Sequence, residues 1–467
     1  MSESTGPQLK RVLSVTDVAL FNIVVIFSLR GMATAAKMGP LGVVLWLVAV
    51  AAFFVPMALA VAELASRDPR AGGFYCWVRD AFGEVHGFQA AWFYWLSNLT
   101  YLPSLLLFMA GNVGFVVGRP ELGEDRWFVV AMALGVLWFA AWLNVRGLSL
   151  GRLVTNFGAT ANWIAAVLLI AAGAAAVMRF GSATTWDWAH IGREIGGTRA
   201  LGYFGTLSFA LVGIELATLM GGEIKDPRRT IPRAIVLSGV AVGVMYVLGT
   251  LAILVAVPSA QVSPVSGALG AVKAVSDRAG WSFLPPLTAV LVTFSVFAGF
   301  TAWLGGMARL PYAVGLDRFL PRAMAELHPV YGTPHKAILL QTALTTGFVV
   351  ASQAGATVTE AYLVLLLTTI VLNFVPFLYL FLALPRLRPR GEEPEVARAP
   401  GGHGMLWLIA LLGFGTSLVT LVTAVIPPPD VGNVIAFEAK LWGGLVVFAA
   451  VGFALFRGYR ARRGAPA

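Results

Sequence analysis

Phe209-Ala210-Leu211-Val212-Gly213-Ile214-Glu215 sets a carboxylate inside an apolar run that covers 200–222. A run of roughly 20 residues is enough for a helix to cross about 30 Å of hydrocarbon. A charge inside such a span costs free energy and marks a functional place by default. Far upstream, Ile26-Phe27-Ser28-Leu29-Arg30-Gly31-Met32 does the same with a guanidinium, inside a run over 15–36. These are the first and sixth members of a series. Runs of comparable character lie near 15–36, 41–65, 84–117, 127–145, 153–178, 200–222, 234–257, 284–308, 336–353, 361–384, 404–426 and 441–457. The ninth and the last are short. The pattern predicts an all-α polytopic membrane protein of about twelve transmembrane helices.

Composition agrees. Hydrophobic residues make up 58% of the chain and charged residues 12%, against about 25% charged in soluble domains. The formal charge of +10 would suggest nucleic acid on a soluble protein, but its placement argues otherwise. With the N-terminus in the cytoplasm and alternating spans, about 23 of the 33 Lys and Arg fall on the cytoplasmic side, as the positive-inside rule requires. The basic balance therefore reflects topology and contact with anionic lipids. Both termini are expected in the cytoplasm of a cell-membrane protein. Lys10 and Arg11 precede a retained first span, because no small-residue cleavage pattern follows it. Cys76 is the single cysteine, which excludes an internal disulfide.

The joints between spans are polar and rich in turn residues. The longest, from Pro385 through Gly402, reads as a flexible linker. It divides a ten-helix core over 1–390, with halves at roughly 15–178 and 200–384, from two further helices and a basic tail over 391–467. Tryptophans near span ends, among them Trp127, Trp186, Trp281 and Trp442, suit interfacial belts.

Transporters with inverted repeats break corresponding helices near mid-membrane, where half-helix N-termini face anions and freed carbonyls face cations. Gly31 and Gly213, each beside an ionisable residue, are candidates for the breaks. The bland alternative is that Arg30 and Glu215 pair with each other and only fix two helices. Signals for catalysis are missing. The five histidines have no metal-ligand spacing, and no phosphate-binding glycine loop or nucleophile elbow occurs. An enzyme, a metal site and a cofactor are therefore not expected.

Three stretches resemble the amino acid–polyamine–organocation (APC) transporters. The most specific is Phe209 to Glu215, continuing through Gly222-Glu223-Ile224-Lys225-Asp226-Pro227-Arg228-Arg229-Thr230-Ile231-Pro232. The second is Ala62-Glu63-Leu64 with Gly72-Gly73-Phe74-Tyr75-Cys76-Trp77, and the third Met307-Ala308-Arg309 with Gly315-Leu316-Asp317-Arg318-Phe319-Leu320-Pro321. The resemblance implies a LeuT-type five-plus-five inverted repeat plus two C-terminal helices, with substrate between broken helices 1 and 6. The expected substrate site is then Ile26, Ser28, Leu29, Arg30 and Gly31 from helix 1, Phe209, Ala210, Val212 and Gly213 from helix 6, and Trp303 from helix 8. Phe209 is similar to the aromatic that closes over substrate, and Glu215 to the carboxylate used in proton sensing or coupling. Arg30, Glu215 and Phe209 are the expected coupling and gating residues.

One departure matters. The family usually carries Gly-Ser-Gly at the helix 1 break, where this chain has Ser28-Leu29-Arg30 followed by Gly31. Glutamate/GABA exchangers depart here too, and the Gly-Gly-Phe-Tyr-Cys-Trp stretch is slightly similar to theirs. Arg30 either grips a substrate carboxylate directly or stands where relatives hold a cation or a titrating lysine. Helix 5 offers Asn156, Thr160 and Asn162 but no lysine. A fixed charge there favours exchange or facilitated transport over sodium coupling, and proton coupling would run through Glu215 or another carboxylate. The expected activity is secondary transport of amino acids by alternating access, as proton symport or exchange. The alternatives are a glutamate/GABA-type antiporter and a membrane amino-acid sensor or accessory subunit on the same fold. Small-residue surfaces such as 171–176 suit packing within one chain or between chains and leave the oligomeric state open.

Overall fold

The computed structural model describes residues 9, 11–123, 125–186, 197–262, 267–317, 319–352, 358–388, 397–426 and 434–463. Among them no strand forms, and an isolated parallel bridge joins Leu13 to Ile224. The protein is an all-helical, multi-pass membrane protein.

The first span is two helices, α1 (Val15–Ile26) and α2 (Leu29–Ala36), bent by 40° at their junction. Ser14 and Asp17 start α1 with a capping box, which satisfies two orphan N–H groups. Next comes α3 (Pro40–Arg67), with a π-helical turn at Val50–Phe54. Such a turn frees backbone groups, and the Ala52 carbonyl there accepts the Thr416 hydroxyl at 3.3 Å. A short helix, α4 (Phe74–Phe82), precedes α5 (Glu84–Val116), α6 (Arg126–Arg146) and α7 (Leu148–Phe180). The sixth span begins as α8 (Thr198–Ala210), loses regular form, and resumes as a 3-10 segment over Leu216–Glu223. There follow α9 (Pro227–Ala256), α10 (Gly267–Ala279), α11 (Leu284–Leu316), α12 (His335–Ser352), α13 (Val358–Leu387), α14 (Gly402–Ala424) and α15 (Val434–Arg463).

Helical segments thus stand at all twelve expected places. Among the described residues, eight helices are long and apolar enough to cross a membrane, or nine when the bent α1–α2 pair is one span. The other three expected spans coincide with α5, α12 and the interrupted α8 segment. Two of them turn polar side chains inward. Ser97, Asn98, Thr100 and Ser104 on α5 are buried, as are Gln341, Thr342 and Thr345 on α12. Helices enclosed by other helices have no need of a fully apolar surface.

The end of the bundle that carries the basic loops is cross-tied. The Val12 and Leu13 N–H groups donate to the Glu223 carbonyl at 2.9 and 3.0 Å, and the Lys225 N–H donates back to Leu13 at 2.9 Å. The chain before α1 and the chain after the interrupted span are therefore one unit. The Glu223 carboxylate in turn accepts from Arg309 of α11 at 3.0 and 3.2 Å, with both side chains buried. The expected flexible linker is pinned at its far end. Ala397 N–H donates to Ser66 at 3.0 Å, and Ala399 N–H donates to Glu63 at 2.9 Å. Buried Glu63 also holds Arg67 and Arg388 at 3.2 Å each. Residues 389–396 lie outside the described residues.

Candidate functional site

A helix that stops inside a membrane leaves C-terminal carbonyls without partners, and no water is at hand to take them. The end of α1 meets this need with side chains from three other helices. Trp303 Nε1–H of α11 donates to the Val25 carbonyl at 3.1 Å. The Tyr246 hydroxyl of α9 donates to the Ile26 carbonyl at 2.7 Å. Asn162 Nδ2–H of α7 donates to the Phe27 carbonyl at 2.6 Å. Ser28 then starts α2 in an extended conformation, and its hydroxyl accepts the Gly31 N–H at 3.4 Å.

The break therefore falls at Phe27–Ser28, ahead of the expected Gly31. Gly31 sits inside α2, and the reason for a glycine there is space. A β-carbon would come within 2.8 Å of the Tyr246 ring. At the second break the expectation and the structure agree on Gly213, which has φ 130°. Any other residue would be strained at that angle, and its β-carbon would meet Val25 Cγ1 at 2.5 Å. The two breaks thus touch through a glycine.

Tyr246 joins them. Besides its bond to Ile26, its oxygen lies 3.0 Å from the Ala210 carbonyl, where α8 ends, and accepts the Ser28 N–H at 3.2 Å. One hydroxyl therefore contacts the end of α1, the start of α2 and the end of α8. Its ring stacks on Trp46 at 4.2 Å.

Glu215 lies behind this junction and is fully buried. Tyr94 of α5 donates its hydroxyl to one carboxylate oxygen, and Gly213 N–H donates to the other at 3.0 Å. No ion pair joins Glu215 to Arg30 among the described residues. The reading in which the two charges only hold each other is overturned: two neutral donors hold Glu215. The Arg30 guanidinium instead lies over the Phe108 ring, 5.3 Å from its centroid.

Two small cavities flank the first break, each with about 50 Å³ of free space. They share a wall of Ile26, Ser28, Arg30, Tyr101 and Trp303. The first also reaches Gly31, Phe209, Ala210 and Val212, and the second Leu29, Phe108 and Asn162. Tyr101 meets Trp303 and Phe209 edge-on, with centroids 5.3 and 5.6 Å apart. Nine of the expected residues (Ile26, Ser28, Leu29, Arg30, Gly31, Phe209, Ala210, Val212 and Trp303) thus line one or both cavities. Gly213 and Glu215 do not. Tyr101, Tyr246, Tyr94 and Phe108 belong to the arrangement and were not anticipated. Buried tyrosines on apolar helices are the available signal, since a buried hydroxyl needs a partner. So many apolar helices offer too many such positions for spacing alone to select them.

Comparison with known proteins gives the family. The chain matches the family model described as amino acid permease over residues 13–450. It is 30% identical to an uncharacterized transporter of Legionella pneumophila, over 94% of this chain and 95% of that one. A probable agmatine/putrescine antiporter of Lactococcus lactis is 21% identical over 95% of this chain and 94% of its own length. An uncharacterized transporter of Mycobacterium bovis is 28% identical over 69% and 68%. Matched from before its first membrane-spanning helix into its last, the chain belongs to the amino acid permease family of the amino acid–polyamine–organocation transporters.

Proposed function

We propose that the protein is a secondary transporter of amino acids, with the substrate carboxylate held at the start of α2 by Arg30. The observation that carries this reading is the charge of the cavities. Arg30 lines both, and no Asp or Glu lines either among the described residues. The first N–H groups of α2, at Leu29 and Arg30, are orphan donors by position, and a helix N-terminus favours an anion. A guanidinium adds a charge-assisted fork that stays protonated at any working pH. The relative from Lactococcus lactis is named for agmatine and putrescine, which are cations. A site whose charged wall is an arginine suits a carboxylate-bearing substrate better.

The coupling follows from the same residues. The three carbonyls that end α1 already have donors, which leaves little for a sodium ion to coordinate. Glu215 is the carboxylate that touches the second break, through Gly213 N–H. Coupling then runs by exchange of substrates, or by protons through Glu215, in an alternating-access cycle on a five-plus-five repeat. N- and C-termini in the cytoplasm suit the basic loops.

The test is flux in proteoliposomes, with each amino acid, its decarboxylated amine, agmatine and putrescine supplied on one or both sides. Uptake of carboxylate-bearing compounds, lost in Arg30→Ala and partly kept in Arg30→Lys, supports the reading. Transport of amines undiminished in Arg30→Ala would overturn the clamp. Binding without flux for any compound would favour the sensor reading.

A further inference from the structure

The outer faces of α3 and α9 enclose a groove of about 530 Å³ that none of the site residues enters. Its walls include Val55 and Leu59 on α3 and Val236 and Val240 on α9, and Gly239 and Gly243 open its floor. Both helices are apolar enough to cross a membrane, so the groove opens onto hydrocarbon. Along α3 it runs from Leu47 to Ala62, about 22 Å at 1.5 Å per residue. That is more than half of the ~30 Å hydrocarbon thickness. Every lining side chain is aliphatic, aromatic or glycine.

At one end the chemistry changes. Val240, Val236, Arg233 and Arg229 follow one another at spacings of four, three and four, which is one face of a helix. Both arginines are exposed. Arg233 has no hydrogen-bond or ion-pair partner among the described residues. Arg229 lies 4.0 Å from an exposed Asp226 carboxylate. A long channel without polar groups therefore ends in two cationic side chains on the same helical stripe.

We propose that this groove binds one anionic phospholipid, with an acyl chain between α3 and α9 and the phosphate on Arg229 and Arg233. Charge complementarity selects the occupant. A zwitterionic lipid offers the arginines a phosphate but brings its own cation beside it and so gains less, and a second copy of the chain leaves them facing another basic loop. In the orientation proposed above the site lies in the cytoplasmic leaflet, where anionic lipids attract basic segments. It also bears on the functional site, because α9 carries Tyr246 on its inner side.

The experiment uses the full chain in nanodiscs of defined mixture and in detergent with added dioleoyl phosphatidylglycerol or phosphatidylcholine, read by native mass spectrometry. Wild type should retain phosphatidylglycerol over phosphatidylcholine by about 25-fold, as two arginines at roughly fivefold each (~1 kcal/mol apiece) would give. Arg229→Gln/Arg233→Gln should erase the preference and keep weak binding of both lipids. Gly243→Leu should lose both lipids, since a β-carbon there meets Val50 only at 3.9 Å and the side chain enters the groove. Val240→Trp fills the groove from an exposed position should the glycine variant not fold. Equal retention of the two lipids by wild type overturns the proposal, as does a preference that survives the double Gln variant. A wild-type dimer that Gly243→Leu dissociates would assign the groove to a second copy and overturn it too.

Discussion

Replacing Tyr246 by Phe removes one oxygen and leaves the ring where Trp46 and Phe27 pack on it, 4.2 and 5.2 Å away between centroids. The hydroxyl has a single proton. It goes to the nearer acceptor, the Ile26 carbonyl at 2.7 Å, and leaves the Ala210 carbonyl at 3.0 Å with an electrostatic contact only. Losing the oxygen therefore orphans one carbonyl and the Ser28 N–H. Each buried group left without a partner costs about 1–3 kcal/mol. Hydrogen bonds between membrane helices, measured pairwise, average nearer ~0.6 kcal/mol. A destabilisation of about 1–4 kcal/mol is expected from the two figures together. It is read as a lowered apparent melting temperature of purified protein, beside substrate affinity by scintillation proximity. Affinity should fall as well, because the groups set loose are the end of α1 and the start of α2. Tyr246→Phe with unchanged melting temperature and unchanged affinity would refute the claim that this hydroxyl holds the breaks together.

Other outcomes follow from the same junction. Gly213→Ala puts a β-carbon 2.5 Å from Val25 at φ 130°. It should abolish transport and cost about 1–3 kcal/mol, checked by melting and flux together. Glu215→Gln keeps one acceptor oxygen for Tyr94 and turns an N–H₂ toward the Gly213 N–H, an opposition of donors costing about 1–3 kcal/mol. Under proton coupling it should also flatten the pH profile of flux, whereas a steep profile retained in the variant would move the proton site elsewhere. Arg309→Ala strips the partner from buried Glu223 and should lower stability by about 3–5 kcal/mol. The double variant Arg309→Met/Glu223→Leu should recover most of it in the same melting assay, because no charge remains buried.

The two interrupted spans could be read from the sequence because a charge in hydrocarbon is conspicuous. Arg30 and Glu215 each stand out from some twenty apolar neighbours, and they led to the right pair of helices. The position of the first break could not be read. It depends on where α1 finds donors for its last carbonyls, and those come from Trp303, Tyr246 and Asn162, at distant positions of the chain. Gly31 looked like a point of backbone freedom and is instead a gap filled by the Tyr246 ring. Glu215 was visible as a buried charge, but its partners were not. Tyr94 reaches it across 121 positions of sequence, a distance that no periodicity spans.

Side-chain capping of the α1 end has a consequence for how the helices move together. The carbonyls of Val25, Ile26 and Phe27 are consecutive, yet each is held by a different helix, α11, α9 and α7. A carbonyl inside hydrocarbon cannot exchange its donor for water without a cost of several kcal/mol. Any rearrangement of α1 must therefore carry these donors along or replace them at once with others. At the other end of the same segment, Leu13 is tied to the backbone at Glu223–Lys225, where the interrupted sixth span ends, and that backbone to α11 through Glu223 and Arg309. α1 is thus anchored to α11 at both ends, by Trp303 above and by way of Glu223 below. In the proposed cycle α1 and the lower part of the sixth span then shift as one piece. Lower down, Tyr94 ties α5 to Glu215; the weaker contact lies at Tyr101 of α5, which meets Trp303 of α11 and Phe209 of α8 by ring edges. An edge-on ring contact is worth about 0.5–1.5 kcal/mol beyond burial, less than the orphaned carbonyls would cost. The aromatic contact should yield first, and a bulky substrate held at Arg30 would enter by parting Tyr101 from Phe209.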